Sequence, residues 1–371
     1  MIPTTPPSLV VEAVGVRVRI DLTALADADR EAVHGAWADA RAADDGIPDA
    51  EVRPAPSDPP EQMLSQLSSA VTQAAIGARR GSSWMLHAGG VAAPDGGVVA
   101  LVGPSGAGKT TATRRLARTW GYVSDETVGI DDDGRVHAYR KPLSVITPGH
   151  AVKLQHSPAS LGLHRLPDAP LHLRRVVLLD RDERHRGARL VPVEPAGALI
   201  ALAPHSSALA AMPHPLTTVS RLLADTRGLW RAEYAEARDL EELIGGLLSS
   251  ADGDDEPAPL TPTDPPRERV DSARSPVVPA ASAESRFRRA PAVETLPFPP
   301  DRLAVLTASG DGAGLLHLLA GAAPALWHAA DAATREDLIR AVADGPDRQD
   351  AHDAIDGILD QLVEAGLLTV A

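Results

Sequence analysis

The sequence predicts an α/β fold joined to a small α+β module at its C-terminal end. Three observations carry that reading. A buried-strand run, Val98–Val102, passes directly into a glycine-rich loop and then a helical pattern. Strand and helix patterns are interspersed up to about residue 250. Residues 251–300 then hold 11 of the 33 prolines and little periodicity, and apolar spacing resumes over 301–371. A length of 371 residues fits two to three domains at about 150 residues each. Hydrophobic residues at 44% and charged residues at 23% suffice for a sizeable core.

Residues 10–22 alternate, with Val14, Val16, Val18 and Ile20 against Gly15, Arg17, Arg19 and Asp21, and predict one half-buried strand. A proline-rich stretch follows at 48–60. Leu64, Leu67, Val71 and Ala74 predict a helix over 61–80, stopped at Gly81. Trp84–Val102 predicts a hairpin turned at Pro94-Asp95-Gly96-Gly97. The next helix starts inside Gly106–Thr111 and ends before Gly121. Tyr122–Ile130 reads as a strand, Val176–Leu179 as a further buried strand, and 196–250 as mostly helical. The proposed organisation is an N-terminal α/β segment at 1–81, a core domain at 82–250, a flexible linker at 251–300 and a module at 301–371. There are no internal repeats.

Composition excludes several function classes. The net charge is −14, and an acidic chain makes a poor general binder of nucleic acid, whose phosphates need clustered Lys and Arg. Without cysteine there is no disulfide, thiolate metal site or cysteine nucleophile. No apolar run approaches ~18 residues, so no spanning helix and no membrane partner are expected. The first residues show no signal-peptide pattern, and the expected location is cytoplasmic. The chain has three lysines and no asparagine. The lysines, Lys109, Lys141 and Lys153, all fall in one short window, which marks them for inspection.

Lys109 lies in Gly103-Pro104-Ser105-Gly106-Ala107-Gly108-Lys109-Thr110-Thr111, a G-x-x-x-x-G-K-T phosphate-binding loop. The glycine-rich backbone lets successive N–H groups point into one concavity and hold phosphate oxygens, and the following helix adds its positive end. Lys109 is placed to reach the terminal phosphates and the Thr110 hydroxyl to bind Mg²⁺. In an arginine-biased chain, a surviving lysine fits a site that needs a compact ammonium. Asp125-Glu126 follow at a strand start, placed for Mg²⁺ and an acceptor hydroxyl. Lys141, in Arg140-Lys141-Pro142, is a candidate ligand for a phosphate or an acidic acceptor, or a solvated lysine before a rigid proline. Asp180 ends a run that looks like a Walker B strand or an ordinary buried strand. The arginines at 181, 184, 186 and 189 fit a solvated turn or a phosphate loop.

The order His87-Ala88-Gly89-Gly90-Val91, phosphate loop, helix, then Ser124-Asp125-Glu126 resembles the HPr kinase/phosphorylase catalytic domain. It looks most like the smaller HPr-kinase-like proteins of peptide-maturation systems. The resemblance covers roughly 82–180 well and the flanking segments weakly. It implies a P-loop fold of the HPr kinase/PEP carboxykinase-like type, an ATP- and Mg²⁺-dependent kinase, His87 beside the reacting phosphate, and Asp125 as base toward a serine hydroxyl. The family usually has two aspartates where this chain has Asp125-Glu126, and its basic segment for protein-substrate exchange is absent. A eukaryotic-type protein kinase is excluded, because its catalytic loop needs an asparagine.

In the C-terminal module, Leu303–Leu306 and Leu315–Leu319 read as strands and Ala325-Leu326-Trp327 as helix. Thr334 and Asp337 make a capping-box-like start, and a last helix buries Ile355, Leu359 and Leu362. The pattern is winged-helix-like and resembles the PqqD-like domains that recognise precursor peptides. It implies a leader-peptide partner bound along a strand edge by 301–371. DNA binding is disfavoured by a net charge of −8 over these residues. Plain dimerisation, giving a homo-oligomer, stays open. The resulting expectation is a kinase for a Ser or Thr hydroxyl on a ribosomally made precursor peptide. The alternatives are a nucleotide-sensing regulator or accessory ATPase, and a small-molecule or free-amino-acid kinase.

Overall fold

A computed structural model describes residues 5–44, 46–57, 59–147, 152–249, 285–310, 312–342 and 348–370. The described residues divide into two compact units, one lying before residue 250 apart from 214–217, the other carrying 285 onward. Among them, no helix is long and apolar enough to cross a membrane.

The alternating run at 10–22 forms two strands, not one. Ser8–Ala13 and Val16–Asp21 pair antiparallel around a turn at Val14 and Gly15, both at positive φ. The period-2 pattern survives such a tight turn, so alternation alone could not show it. Ala50–Val52 joins parallel to the second strand, inside the stretch read as proline-rich coil. Helix Pro60–Arg79 lays Met63, Leu67, Val71 and Ala75 on this sheet, against Val11, Val18, Ile20 and Trp37. Burying each larger side chain contributes about 2 kcal/mol. Tyr139, from far along the chain, sits in the same cluster and ties this segment to the rest of the unit.

The central sheet has six strands in the order Arg189–Val193, Leu229–Tyr234, His172–Arg181, Gly97–Val102, Ala88–Ala92, Gly121–Ser124. Leu229–Tyr234, His172–Arg181 and Gly97–Val102 run parallel to one another, and the pairings outside these three are antiparallel. The unit is therefore a mixed α/β fold with a parallel core. Helices Lys109–Leu116 and Leu240–Ser249 cover one face, with Leu101, Leu116, Tyr122, Val177, Leu179, Tyr234 and Ile244 between them. The stretch 196–250 is mostly helical, as expected, but strand Leu229–Tyr234 interrupts it.

The hairpin at 84–102 also needs correction. Ala88–Ala92 pairs with Gly97–Val102, but Trp84–Leu86 belongs to a second sheet, ordered Ser206–Ser207, Trp84–Leu86, Val128–Ile130, Val136–His137. The strand at 122–130 likewise divides, giving Gly121–Ser124 to the first sheet and Val128–Ile130 to the second. Two segments thus step from one sheet to the other, at His87 and at Asp125–Thr127.

In the second unit, Ala292–Phe298, Arg302–Thr307 and Leu315–Ala320 form an antiparallel sheet. Arg286–Arg289 lies between Asp331–Thr334 and Leu368–Val370 in another. Helices Ala323–Ala329, Arg335–Val342 and Arg348–Glu364 complete it, and Phe287, Val305, Leu326, Trp327, Leu338, Leu359 and Leu362 form its core. The Thr334–Asp337 cap is reciprocal: the Asp337 N–H donates to Thr334 Oγ1 at 3.2 Å and the Thr334 N–H to Asp337 Oδ2 at 3.0 Å. Strands at 286–298 overturn the linker expectation there; the rest of the expected linker, 251–284, lies outside the described residues. Among the described residues of that stretch, Pro291, Pro299 and Pro300 flank strand Ala292–Phe298 and Pro297 lies within it, on an edge strand where a missing N–H is tolerated.

Candidate functional site

The strand Gly97–Val102 is fully buried, and the chain leaves it into the loop at Gly103. Pro104, Ser105 and Gly106 are exposed, so the backbone that would cradle an anion is open to solvent. Gly108, at φ 85°, starts helix Lys109–Leu116 from the left-handed region, and a side chain there would also crowd Tyr234 Oη at 3.3 Å. Tyr234 Oη donates to the Ala107 carbonyl at 2.8 Å and straps the loop to the neighbouring sheet. Lys109 is buried, and its ammonium donates to the carbonyls of Gly103 (2.6 Å) and Pro104 (3.2 Å). Desolvation lowers its pKa. Thr110 is half-buried and Thr111 exposed.

The glycines of His87-Ala88-Gly89-Gly90 have a packing cause. A Cβ on Gly89 would lie 2.0 Å from Thr113 Oγ1, so this strand can meet the loop helix only without a side chain. His87, one step before the strand, stands at the solvent-exposed rim. The protein behind it still strips water from the ring, and this desolvation is the first cause of a lowered pKa, with the Lys109 charge second. Glu126, by charge and by a backbone hydrogen bond, and Asp125 push the other way. One imidazole therefore lies in the field of both the loop lysine and the carboxylate pair.

Asp125 is released from the sheet by a local device. Ser124 Oγ accepts the N–H groups of Glu126 (3.2 Å) and Thr127 (3.1 Å), which turns the chain between the two sheets. Asp125 is 6% exposed, and Tyr122 Oη donates to its Oδ1 at 2.9 Å. Burial and the neighbouring Asp125 charge raise the Tyr122 pKa well above its ordinary value, so it remains a donor. Arg140 holds Tyr122 in turn. Its Nη1 donates to the Tyr122 carbonyl at 2.9 Å, its guanidinium stands 5.8 Å from the ring centre, and its Nη2 reaches Asp39 at 3.0 Å.

The structure brings Lys141 to the carboxylates, not to the phosphate loop. It is 3% exposed, with Nζ 2.8 Å from Glu126 Oε2, 3.9 Å from Asp125 Oδ1, and donating to Ser68 Oγ and the Pro142 carbonyl. As a phosphate ligand it is therefore corrected: its donors are engaged inside the protein. Among the described residues, no three His, Asp or Glu side chains form a preformed metal cage. Mg²⁺ does not require one, since it keeps waters and takes phosphate oxygens with one or two protein ligands. The Thr110 hydroxyl and the Asp125 carboxylate suit it; Glu126, paired to Lys141, suits it less.

Asp180 is half-buried on the parallel strand next to the loop strand. The register Leu178 opposite Val102 carries it two residues beyond the end of the loop strand, while on its other side it still pairs with Glu233. Of the four arginines after it, Arg181 pairs with Glu236, Arg184 with Asp182 and Arg189 with Glu233, the pattern of a solvated turn. Sequence reasoning missed Tyr122, Tyr234 and His205. The carbonyl of His205 accepts the His87 N–H at 2.6 Å, and the His205 ring pKa is lowered first by desolvation, then by Lys109 and His87. No motif marks these three; only the sheet pairings bring them in.

No family model matches the chain, and no curated protein does. Among solved structures it is similar to the HPr(Ser) kinase/phosphatase from Coxiella burnetii, at 12% identity over 44% of this chain and 93% of that one, with a TM-score of 0.25. A likeness this slight carries no function across.

Proposed function

We propose that the chain is an ATP- and Mg²⁺-dependent kinase of the HPr-kinase-like type, acting on a Ser or Thr hydroxyl of a ribosomally made precursor peptide. The observation that supports it is that the His87 ring, hydrogen-bonded to the Glu126 backbone, feels the Lys109 charge and the opposing charges of Glu126 and Asp125 together. Phosphoryl transfer needs a phosphate seat and a carboxylate that orients the acceptor, on either side of the reacting group. The open loop backbone and the helix start hold the phosphates. Lys109 leaves its two carbonyls for the terminal phosphate. Asp125, held by Tyr122 and close to the Lys141 charge, accepts the hydroxyl proton. Bound Mg²⁺, on Thr110 and Asp125, would neutralise phosphate charge.

The second unit serves, in this reading, as a PqqD-like module for the leader peptide. Among the described residues, its three-stranded sheet has Ala292–Phe298 and Leu315–Ala320 as outer strands, and an outer strand is the kind of edge that strand addition uses. Tethering both units in one chain raises the local acceptor concentration. Incubation of the protein with γ-labelled ATP and candidate precursor peptides tests the whole reading. Label on the peptide supports it. Phosphate release with no labelled acceptor favours an accessory ATPase, and label on a free amino acid or small molecule favours the third class.

A further inference from the structure

The second histidine, His205, carries an inference of its own. Strand Ser206–Ser207 pairs antiparallel with Trp84–Leu86, with Ser206 opposite Leu86. The next pair along this ladder is His205 and His87, and it is made: the His87 N–H donates to the His205 carbonyl at 2.6 Å. Residues directly opposite in an antiparallel pair put their side chains on the same face, about 5 Å apart at Cβ. The pairing is well anchored. Ser206 Oγ accepts from Trp84 Nε1 at 2.9 Å and donates to the Leu202 carbonyl at 2.9 Å, both buried. His205 closes the 3-10 turn Ala203–His205 just before the strand, so this backbone bond and the buried core around Ser206 fix the two histidines as neighbours, at the step where the chain crosses toward the phosphate loop.

We propose that His205 and His87 together form a two-imidazole seat for the terminal phosphate of a nucleoside triphosphate held by the loop. The inference rests on the nucleotide-binding reading above and adds to it a residue and a selectivity for triphosphate over diphosphate. Each ring can donate one N–H to a phosphate oxygen when neutral, and each gains a favourable charge if it takes up a proton beside the anion. The charged and titratable groups acting on His205 are Lys109 and His87; those acting on His87 are Lys109, Glu126 and Asp125. Without a ligand, desolvation and Lys109 lower both ring pKa values, so both rings are neutral at pH 7. A phosphate dianion placed between them and Lys109 opposes both causes, so triphosphate binding takes up protons and tightens as pH falls.

The experiment is a titration of the full chain with ATP and with ADP, Mg²⁺ present, at pH 6 and pH 8, on wild type, His205→Gln and Lys109→Ala. Wild type is expected to prefer ATP, more so at pH 6. His205→Gln is expected to lose about tenfold in ATP affinity at pH 6 and less at pH 8, with ADP affinity unchanged. The side-chain change leaves the backbone pair intact, so thermal unfolding should match wild type; should it not, His205→Asn replaces it in the same titration. In ¹³C-histidine-labelled wild type, ATP should raise the titration midpoints of two histidines, and of one in the variant. Equal loss of ATP and ADP affinity, or wild-type affinity for both at either pH, overturns the seat. If His205→Gln matches wild type while Lys109→Ala has lost ATP, the seat alone is wrong. If wild type binds neither nucleotide, the parent reading falls as well.

Discussion

The phosphate loop and the Asp125–Glu126 pair are built in opposite ways. The loop is contiguous, exposed along Pro104–Gly106, and made of backbone groups. Apart from Tyr234, everything it needs lies within nine residues. The acid pair is assembled from afar: Tyr122 and Ser124 beside it, Lys141 after the next strands, and Ser68 from the N-terminal helix. A backbone cradle depends on conformation, so a side chain removed from it costs function more than stability. A buried charge cluster depends on mutual pairing, so a partner removed from it costs stability as well.

The largest expected effect falls on the loop. Lys109→Ala should lower phosphoryl transfer by about 10³-fold, because a preorganised cation is lost where charge develops. Its melting temperature should stay near wild type, since the hydrogen bonds that Lys109 makes among the described residues go to the loop carbonyls of Gly103 and Pro104. Wild-type turnover would remove the loop from the phosphate site. Next comes Asp125→Asn, which keeps size and removes basicity. Transfer should fall by about 10²-fold with ATP binding retained. If ATP binding falls equally, Asp125 is first a metal ligand; if transfer is unchanged, the orienting carboxylate is Glu126 or Asp180.

Lys141→Met sharpens the contrast from the other side. It leaves Glu126 without its cation, but that carboxylate is a third exposed and solvent screens it, so the loss should be about 2 kcal/mol and not the full cost of a broken buried pair. Urea denaturation checks it, and the Lys141→Met/Glu126→Gln double variant should recover part of the loss. A silent Lys141→Met would mean that the pair is not held by this charge. The smallest effect belongs to Tyr234→Phe. Removing one hydrogen bond to the Ala107 carbonyl should cost about 1 kcal/mol and raise the KM for ATP a few-fold with kcat unchanged.

The same contrast explains what could be read in advance. The loop, its strand and its helix are a local pattern and were legible from Val98 to Thr111. Asp125 was legible as a candidate, but its release from the sheet was not, because Tyr122–Ile130 looks like one apolar run. The deciding signal, Ser124 capturing two N–H groups, is a turn device that strand periodicity hides. Scarcity marks Lys141 in the sequence without showing its neighbours, which come from the step between the two sheets and from helix Pro60–Arg79. Strand Leu229–Tyr234 was lost among flanking helices, and with it the Tyr234 strap. In the second unit, proline count outweighed the pattern of Arg286–Arg289 and Ala292–Phe298, although edge strands and strand ends are where prolines are admitted.

The links from Ser68 to Lys141 and from Asp39 to Arg140 bear on where this protein can be cut. A piece beginning at residue 82 would retain the whole phosphate loop and both carboxylates. It would still lose the hydroxyl that receives Lys141, the carboxylate that receives Arg140, and the apolar bed of Tyr139. Trimming to the apparent motif would thus keep the nucleotide cradle and loosen the acceptor side. The shortest piece that keeps the acceptor side braced must reach back at least to Asp39, and the sheet that positions Asp39 starts at Ser8.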